Sequence, residues 1–310
     1  MEKTQERKLS KSRQRGLGQI YGMLAPNLIL FLMMSVYPVI WALRYMFYEY
    51  DGRYAEKFVG AANFVRLFTR DLKFWMAIKT TFLYAGGKIL LIVPLAFAVA
   101  VLLNNRKRVY GVIQAAIFSP TIMSSAVMAL VFYLLFNLYN GQINKYLLES
   151  GLIAAPLNWL GKDLAILTVI LVAVWGGLGN YMVYFLAGLQ QVPLEMYESA
   201  DIDGAGPLRK MFSITLPMLG PVLKTILMLA ILAGFQDFQS IMVMTGGGPF
   251  DRTNVMFLYI YNLYYPAADL AGTFVPQYGY GAAASIVCAG IIGAITIAYN
   301  IISKKLDEIY

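Results

Sequence analysis

Long apolar runs alternate with short polar segments along this chain of 310 residues. The first run, residues 20–43, has 24 positions without a charge. As a helix it is about 36 Å long, enough to span a bilayer with some tilt. Five further runs of similar length lie at residues 80–103, 112–136, 164–188, 218–245 and 280–302. The pattern predicts an all-α polytopic membrane protein with six transmembrane helices.

The composition supports this prediction and removes several other classes of protein. Apolar residues make up 59% of the chain and charged residues 14%, with a mean hydropathy of +0.61. Soluble domains are about 45–50% apolar and about 25% charged. The single cysteine, Cys288, lies in an apolar run, so a disulfide framework is excluded. The chain has no histidine, which removes the commonest metal ligand and the commonest general base.

Positive charge is concentrated at particular places along the chain. The net charge is +8, and no basic-aromatic cluster typical of nucleic-acid binding accompanies it. Six lysines and arginines precede residue 20, and a basic loop lies at residues 106–108. Because cytoplasmic segments of membrane proteins are enriched in such residues, we expect both chain termini to be cytoplasmic. The predicted domains are a cytoplasmic basic tail at residues 1–19, a six-helix membrane domain at 20–303 and a cytoplasmic tail at 304–310.

A charged segment at residues 193–217 separates the fourth apolar run from the fifth. It holds four carboxylates within nine residues, at Glu195, Glu198, Asp201 and Asp203. Each would cost about 2.5–3.5 kcal/mol at the centre of a bilayer, so the segment lies outside the hydrocarbon. Four predicted spans precede it, which places it on the same side of the membrane as the termini.

The same segment predicts two short helices. Pro193 suits the first turn of a helix, and Glu195 and Glu198 lie near the N-terminal end, where the helix dipole favours negative charge. Gly204 then breaks this helix, and a second one restarts over residues 208–216, before the next proline. We name residues 193–217 the knuckle: two short helices joined by a glycine bend, a shape suited to docking in a groove of another protein.

The knuckle resembles the EAA loop of the inner-membrane permeases of binding-protein-dependent ABC importers. The resemblance is carried by Glu198-Ser199-Ala200, by Asp203-Gly204-Ala205 and by Ile214-Thr215-Leu216-Pro217. The usual Glu-Ala-Ala reads Glu-Ser-Ala here, which keeps a small residue at the middle position. In that family the loop is cytoplasmic, and its helix inserts into a cleft of the ATP-hydrolysing subunit. The resemblance thus implies the following ATPase-coupling residues: Glu195, Glu198, Ser199, Ala200, Asp203, Gly204 and Ala205.

Three other segments are similar to signatures of carbohydrate-importing permeases, specifically the first permease subunit of maltose-type importers. Residues 245–249 read TGGGP after the fifth run, residues 60–64 read GAANF before the second, and residues 278–283 read YGYGAA at the entry to the last. The resemblance implies the type I ABC importer permease fold, with six helices per subunit. We expect the leaner branch that imports glycerol phosphate or oligosaccharides, without the extra N-terminal helices and large external domain of the maltose archetype.

The resemblance also implies partners and cofactors. A second homologous permease subunit, two ABC ATPase subunits and an extracytoplasmic sugar-binding protein complete such a transporter, in the cytoplasmic (inner) membrane of a prokaryote. ATP and Mg²⁺ are bound by the ATPase subunits, and this chain lacks a G-x-x-x-x-G-K-[ST] loop. We therefore expect a transport subunit without catalytic residues, cofactor or metal, which moves cargo by alternating access driven by a separate ATPase.

Two apolar runs carry polar and aromatic side chains that are candidates for the cargo pathway. Asn180 and Tyr184 are four residues apart and share a helix face, and Asp237 is an intramembrane carboxylate, which is a functional candidate by its position. Amides and carboxylates bind sugar hydroxyls, and aromatic rings bind the apolar faces of sugars. The alternative is that these groups join helices to each other. The candidates are Trp175, Asn180, Tyr181, Tyr184, Gln236, Asp237 and Gln239.

Two lysines lie within apolar runs, Lys88 and Lys224. For Lys88, packing beside a polar group of a partner subunit and a role in transport are the alternatives. Glycerol phosphate or another small polar solute is the alternative cargo to an oligosaccharide, since a phosphate would favour such cations.

Two other classes of membrane protein are less favoured. A proton- or sodium-coupled carrier would need several intramembrane acids and repeat symmetry. A membrane enzyme would need a nucleophile or metal-ligand pattern, and the acidic knuckle has neither.

Overall fold

The structure, a computed structural model, describes residues 19–104, 108–267 and 275–307. The predictions made for the basic head at residues 1–18, for most of the basic loop and for the last three residues lie outside this part of the chain. Two compact units make up the chain. Of the described residues, the first unit comprises 19–69 and 275–286, and the second comprises 70–104, 108–267 and 287–307.

The first unit begins with helix α1, Gln19–Phe47, which covers the first apolar run. A π-helical turn at Leu32–Val36 widens α1 two residues before Pro38, which has no amide hydrogen to give to the regular pattern. After α1 the chain forms a short antiparallel ladder and one more helix. These elements are β1, Tyr48–Glu49, β2, Lys57–Phe58, and α2, Ala62–Thr69.

The GAANF and YGYGAA segments meet in the first unit, around the ladder. The Asn63 side-chain amide donates to the carbonyl oxygens of Met46 and Tyr48, at 2.9 and 3.0 Å. The Gly279 amide donates to the Tyr50 carbonyl at 3.2 Å, and a Cβ at position 279 would overlap the Tyr48 carbonyl oxygen. Both segments therefore have structural roles here: one supplies an amide that satisfies backbone carbonyls, and the other a glycine that permits close backbone approach.

The second unit holds most of the membrane helices. α3 spans Leu72–Leu103 and begins eight residues before the predicted run, because the Asp71 side chain accepts a hydrogen bond from the Phe74 amide and caps it. Further helices of this unit are α4, Arg108–Ile122; α5, Ser125–Leu135; α6, Gln142–Glu149; α7, Ala165–Leu189; α8, Leu194–Ile202; α9, Pro207–Lys210; α10, Gly220–Gln236; α11, Gln239–Met244; and α12, Met256–Tyr264. α13, Tyr278–Asp307, begins among the residues of the first unit and ends among those of the second.

The core of the second unit forms where α3 packs along α7. Glycines let the two helices approach closely: a Cβ at Gly87 of α3 would lie 2.8 Å from Ile170 of α7, and a Cβ at Gly177 of α7 would lie 2.9 Å from Ile92 of α3. Tyr84 and Ile92 are buried in this core. Phe97 meets Phe185 edge to face, with the ring centroids 5.3 Å apart. Around this pair, α4 packs on α7, α10 packs on α3, and α11 packs on α5.

Five helices within the described residues are long and apolar enough to cross a membrane, or six if the bent pair α4 and α5 forms one span. The predicted all-α polytopic fold is confirmed. The expectation of one continuous run over residues 112–136 was wrong, since α4 and α5 meet at 97°. The chain turns at Ser124, whose ψ of 134° is outside the helical region. Beside this bend, the Thr121 hydroxyl donates to the Gly176 carbonyl of α7 at 3.0 Å.

The fifth predicted span is interrupted as well. α10 ends and α11 restarts around Asp237, whose backbone is extended, with a ψ of 125°. The following segment, residues 246–279, lies between the fifth and sixth predicted spans, and the hydrophobic pattern did not show that it contains α12. The apolar sequence of α12 is too short to predict a membrane span. The helix packs against α3, where the Met256 amide donates to the buried Thr81 hydroxyl at 2.9 Å.

Gly179→Ala is expected to destabilise the packing of α4 on α7. A Cβ at position 179 would lie 2.7 Å from the Phe118 Cα and 2.8 Å from the Ile117 carbonyl oxygen. Because both are backbone atoms, α4 must move away, at a cost of about 1–3 kcal/mol. Thermal unfolding of the purified protein in detergent measures this cost. Gly86→Ala is the control, since a Cβ there meets open space, and equal unfolding temperatures for the two variants would contradict the proposed contact.

Candidate functional site

The knuckle has the geometry of a helix that ends in a glycine turn. α8 ends at Ile202, and Gly204 has a φ of +72°, in the left-handed region. The Gly204 amide donates to the Asp201 carbonyl at 3.0 Å, and the Ala205 amide donates to the Ala200 carbonyl at 2.8 Å. These two bonds form a Schellman motif, which favours a residue without a Cβ at the position of positive φ. The predicted glycine bend is confirmed.

The helices of the knuckle differ from the prediction at their ends. Pro193 is the N-cap of α8 and lies just outside its first turn. The second helix starts at Pro207, one residue early, and continues through a π-helical turn at Met211–Thr215. The prediction that this helix ends before Pro217 was wrong, since helical conformation continues to Met218. The π-helical turn tolerates Pro217 because its wider hydrogen-bonding pattern does not need the amide hydrogen that proline lacks. The arrangement repeats that of α1, where a π-helical turn also precedes a proline by two residues.

Two side-chain contacts cross the bend and join the halves of the knuckle. Lys210 forms an ion pair with Asp201, and the hydroxyl oxygens of Tyr197 and Thr215 lie 2.9 Å apart. Thr215 is buried, so its contact is shielded from water. Behind the two contacts is a cavity of about 300 Å³, which is lined in part by the ends of α3 and α7. The knuckle is therefore a braced element seated at the ends of two membrane helices.

The two faces of α8 have different environments. Glu195, Glu198 and Ile202 follow at helical spacing and are exposed. Tyr197 and Ala200 occupy the opposite face, where Ala200 is buried against its own chain. The structure thus separates the predicted coupling residues: Glu195, Glu198, Ser199, Asp203 and Gly204 are exposed, Ala205 is half-buried, and Ala200 is buried.

Large apolar side chains also project from the knuckle on both sides of the bend. Ile202 at the end of α8 is 88% exposed, and Leu208 in α9 is 75% exposed. Phe212, in the π-helical turn, and Leu194, at the start of α8, are exposed too. Exposed apolar side chains clustered in a polar segment indicate a surface for another protein. Sequence analysis missed them because it read the segment by its charges, and two short helices give too few positions to resolve an apolar face.

A second group of polar side chains lies inside the membrane helices. Asp237, at the break between α10 and α11, accepts hydrogen bonds from Lys88 Nζ at 2.8 Å and from the Tyr84 hydroxyl at 2.6 Å. The Ser240 hydroxyl donates to the other carboxylate oxygen at 3.2 Å. The Lys88 and Asp237 side chains are 10% and 18% exposed, so the ion pair is largely enclosed. Lys88 thus meets a polar group of its own chain, the Asp237 carboxylate.

The break in the fifth span presents polar groups on both of its sides. Gln236 at the end of α10 and Gln239 at the start of α11 are exposed. Asp237 and Phe238 leave the helical conformation, and a helix that ends there leaves its last carbonyls without intrahelical partners. Within a membrane, such backbone is tolerated where it is covered by protein or lines a water-filled cavity. The sequence showed the amides, but the break depends on contacts with α3 that a single sequence does not reveal.

The candidate residues on α7 do not share one environment. Tyr181 is buried, lies within electrostatic range of Asp237 and contacts Tyr184 edge to face. Asn180 and Tyr184 are exposed on the same helix face. Trp175 is about 180° from Tyr184 around the helix, and its ring contacts Phe132 of α5 with centroids 5.0 Å apart. Tyr181 is thus buried within electrostatic range of Asp237, whereas Trp175 contacts α5 on the other side of α7.

The described residues contain no group of three or more His, Cys, Asp or Glu side chains that could hold a metal ion. The described residues form a multi-pass membrane protein with packed apolar helices, an interrupted polar span and a braced bend between two of its helices. Residues 92–308 match the family described as the inner membrane component of binding-protein-dependent transport systems. The chain belongs to that family, and the resemblance inferred from the knuckle is confirmed.

Named relatives agree with this assignment along nearly the whole chain. The arabinooligosaccharides transport system permease protein AraP of Bacillus subtilis (strain 168) is 32% identical over 289 residues, covering 91% of this chain and 86% of that protein. The trehalose/maltose transport system permease protein MalF of Thermococcus litoralis is 32% identical over 291 residues, covering 93% and 94%. A bacterial alginate ABC transporter, crystallised with its alginate pentasaccharide-bound periplasmic protein, has a chain similar in fold at a TM-score of 0.78 and 25% identity, over 96% of this chain and 97% of that one.

Proposed function

We propose that this chain is a transmembrane permease subunit of an ABC importer for carbohydrate, with an oligosaccharide as its cargo. The observation that carries the proposal is the knuckle, a braced bend with exposed acidic and apolar side chains in the position of the family's EAA loop. The cargo class is supported by relatives that transport arabinooligosaccharides and trehalose or maltose, and by the similar alginate transporter.

The knuckle couples this chain to an ATPase subunit. The exposed face of α8, with Glu195, Glu198 and Ile202, enters a cleft of the ATPase, and Leu208 contacts the same partner beyond the bend. Because two side-chain contacts brace the bend, a displacement of α8 is passed to the ends of α3 and α7 as a largely rigid-body movement. ATP and Mg²⁺ are bound by the partner ATPases, and this chain is not itself an enzyme.

Cargo passes the interrupted fifth span. Gln236 and Gln239 offer neutral amides that can donate to and accept from sugar hydroxyls, and Asn180 and Tyr184 offer an amide and a ring on the exposed face of α7. Glycerol phosphate is the less favoured cargo, because the Lys88 ammonium that could meet its phosphate is already neutralised by Asp237. Trp175 lies on another face of α7, where its ring contacts Phe132, so it is not part of this cargo site.

The transporter has further subunits. A second homologous permease, two ABC ATPase subunits and an extracytoplasmic binding protein complete it, in a prokaryotic cytoplasmic membrane. The family description and the periplasmic protein bound to the similar alginate transporter support these partners. Both termini and the knuckle face the cytoplasm, which the basic residues of the head and of the loop at 106–108 support.

Purification with identification of partners tests the proposal. The native membrane is crosslinked to retain the binding protein, solubilised gently, and the proteins bound to this chain are identified by mass spectrometry. We expect an ABC ATPase, a second six-span permease and a binding protein. ATP hydrolysis by the complex in lipid nanodiscs is then measured with the binding protein and a panel of maltose, trehalose, an arabino-oligosaccharide, alginate pentasaccharide and sn-glycerol 3-phosphate.

Each outcome of that experiment has a distinct meaning. Stimulation by at least one sugar of the panel, and not by glycerol phosphate, supports a carbohydrate importer. Stimulation by glycerol phosphate alone would replace the cargo class and leave the transport mechanism in place. Recovery of the chain alone or as a homo-oligomer, with no nucleotide-binding partner, would contradict the proposal and return a secondary carrier to consideration.

A further inference from the structure

The loop after the fifth span presents one large apolar side chain away from the membrane helices. Phe250 is 81% exposed at the tip of residues 245–254, which we name the Phe250 turn. Phe250 and Asp251 both have φ in the left-handed region, at +55° and +57°. Residues with a Cβ seldom adopt this conformation, and two in succession cost free energy that the rest of the loop must offset. Strain of this kind clusters at active sites, ligand clamps and switch regions, where the surrounding structure holds it in place.

The base of the Phe250 turn is closed by hydrogen bonds. The hydroxyl oxygens of Thr245 and Thr253 lie 2.7 Å apart, and the Thr253 hydroxyl donates to the Gly248 carbonyl at 2.8 Å. The Thr253 amide donates to the Gly247 carbonyl at 3.1 Å. Thr253 is fully buried, so water does not compete for these bonds. The tip is therefore presented in one orientation on a stable base.

Charged and polar side chains surround the tip. The Asp251 carboxylate lies 3.8 Å from Lys73 Nζ, at the start of α3, and Asn254 donates to it at 3.4 Å. Lys73 and Arg252 are exposed, which makes the rim of the turn net positive. An exposed aromatic ring within a polar rim has the composition found at the centre of protein–protein contacts.

The Phe250 turn and the knuckle lie at opposite ends of the fifth span. α10 and α11 together occupy Gly220–Met244, 25 residues, which is at most about 38 Å of helix. The knuckle precedes this span and the Phe250 turn follows it. With the knuckle in the cytoplasm, as in the proposed function, Phe250 is on the extracytoplasmic face of the membrane.

We propose that Phe250 is an anchor for the extracytoplasmic binding protein, on which it enters an apolar recess bordered by acidic side chains. This inference rests on the proposed function. An aromatic side chain held in its bound orientation loses little conformational entropy on association, and aromatic residues carry a large share of binding energy at interfaces. A lipid anchor at the membrane surface needs an aromatic ring but no fixed direction, so the strained and charged turn favours a protein partner.

Titration of the binding protein against variant transporters tests the proposal. The binding protein identified by crosslinking is loaded with the sugar of the panel that stimulates ATP hydrolysis most. It is then titrated against the complete transporter in lipid nanodiscs, and the rate of ATP hydrolysis is measured at each concentration. The concentration of binding protein that gives half of the maximal rate is the half-saturating concentration. Phe250→Ala should raise the half-saturating concentration of binding protein by about tenfold or more, whereas Phe250→Tyr, which keeps the ring, should raise it by about threefold at most. Tyr139→Ala is the matched control, since Tyr139 is 86% exposed and also follows an odd-numbered span, but its loop has no strained turn. It should leave the half-saturating concentration unchanged.

Two results would overturn the inference. The first is an unchanged half-saturating concentration in Phe250→Ala, provided that the unmodified transporter is stimulated. A lower thermal stability of that variant beside the unchanged concentration would assign Phe250 to a contact with lipid or with another transporter subunit instead. An equal increase in Tyr139→Ala would show a general effect of exposed aromatic residues on this face. If the unmodified transporter is not stimulated by any binding protein, the proposed function itself fails, so the two failures are distinguishable.

Discussion

Gly204→Val is expected to uncouple ATP hydrolysis from cargo while the transporter still assembles. Gly204 has a φ of +72° at the end of α8, and a left-handed conformation costs an L-residue about 1–2 kcal/mol, with β-branched residues among the least tolerant. No atom lies within 4 Å of a Cβ at this position, so the variant meets no steric clash within its own chain. It should instead distort the bend between the two helices of the knuckle.

The rate that measures this effect is cargo-stimulated ATP hydrolysis, recorded beside cargo uptake in proteoliposomes. We expect uptake to fall by about tenfold or more, because about 1.4 kcal/mol of lost coupling corresponds to a factor of ten. The subunits should still co-purify, since the outward face of α8 keeps Glu195, Glu198 and Ile202.

Two controls separate backbone conformation from side-chain size. Gly206→Val adds the same side chain two residues away, where a Cβ also meets open space but φ is −69°, and it should be tolerated. Gly204→Asn keeps coupling largely intact, because asparagine adopts the left-handed region more readily than other residues with a Cβ. Wild-type coupling in Gly204→Val would refute the knuckle as the coupling element, and equal loss in all three variants would point to side-chain size instead.

The positions and the order of the long membrane helices could be predicted from the sequence, because a span is a local property of about 20 apolar residues. The breaks within spans could not. The bend at Ser124 depends on the glycine-rich face of α7, where the Gly176 carbonyl accepts from Thr121. The break at Asp237 is fixed by Lys88, 149 residues away along the chain. Both are long-range contacts, which a hydrophobic pattern does not contain.

Some residues of the candidate site could likewise be predicted from local sequence, and others depend on long-range contacts. The Gly204 bend was predictable because a glycine after an acidic helix is a local signal. The cargo candidates were chosen by residue type, and their value depends on which helix face each occupies. Tyr181 and Trp175 illustrate this: they are six residues apart on α7, yet Tyr181 is buried within electrostatic range of Asp237 and Trp175 contacts Phe132. Sequence analysis also missed Tyr84, since a tyrosine in an apolar run gives no sign that it will meet a carboxylate.

Removal of either charge of the Lys88–Asp237 pair is expected to destabilise the transporter more than removal of both. Asp237→Asn leaves the Lys88 ammonium enclosed without a counter-charge, and Lys88→Gln leaves the Asp237 carboxylate in the same condition. The two side chains are 10% and 18% exposed, and loss of one partner from a buried pair costs about 3–5 kcal/mol. Each single variant should therefore unfold at a lower temperature and reach the membrane in smaller amounts. As a cargo candidate, Asp237 is expected to affect cargo, and the ion pair predicts a large effect of Asp237→Asn on assembly as well.

The double variant Lys88→Gln/Asp237→Asn decides between the two roles that the sequence left open for Asp237. Two neutral amides can hydrogen-bond to each other across the same gap, so stability should recover most of the loss. If Asp237 only joins α3 to the broken span, uptake recovers with stability. If its carboxylate also contacts cargo, stability recovers while the KM for cargo stays raised. Unfolding temperature and uptake kinetics, measured on all three variants, give the two readouts.

We expect recovery of stability and a raised KM, because the carboxylate sits where α10 and α11 part and where Gln236 and Gln239 are exposed on either side. Gln236→Leu is the matched control: it removes a neighbouring polar group that is exposed, so it should raise KM without lowering the unfolding temperature. A double variant that is no more stable than the single variants would show that the ion pair is not the dominant interaction at the break. Recovery of both stability and KM would assign Asp237 to helix packing, and cargo recognition would then rest on the neutral amides and aromatic rings.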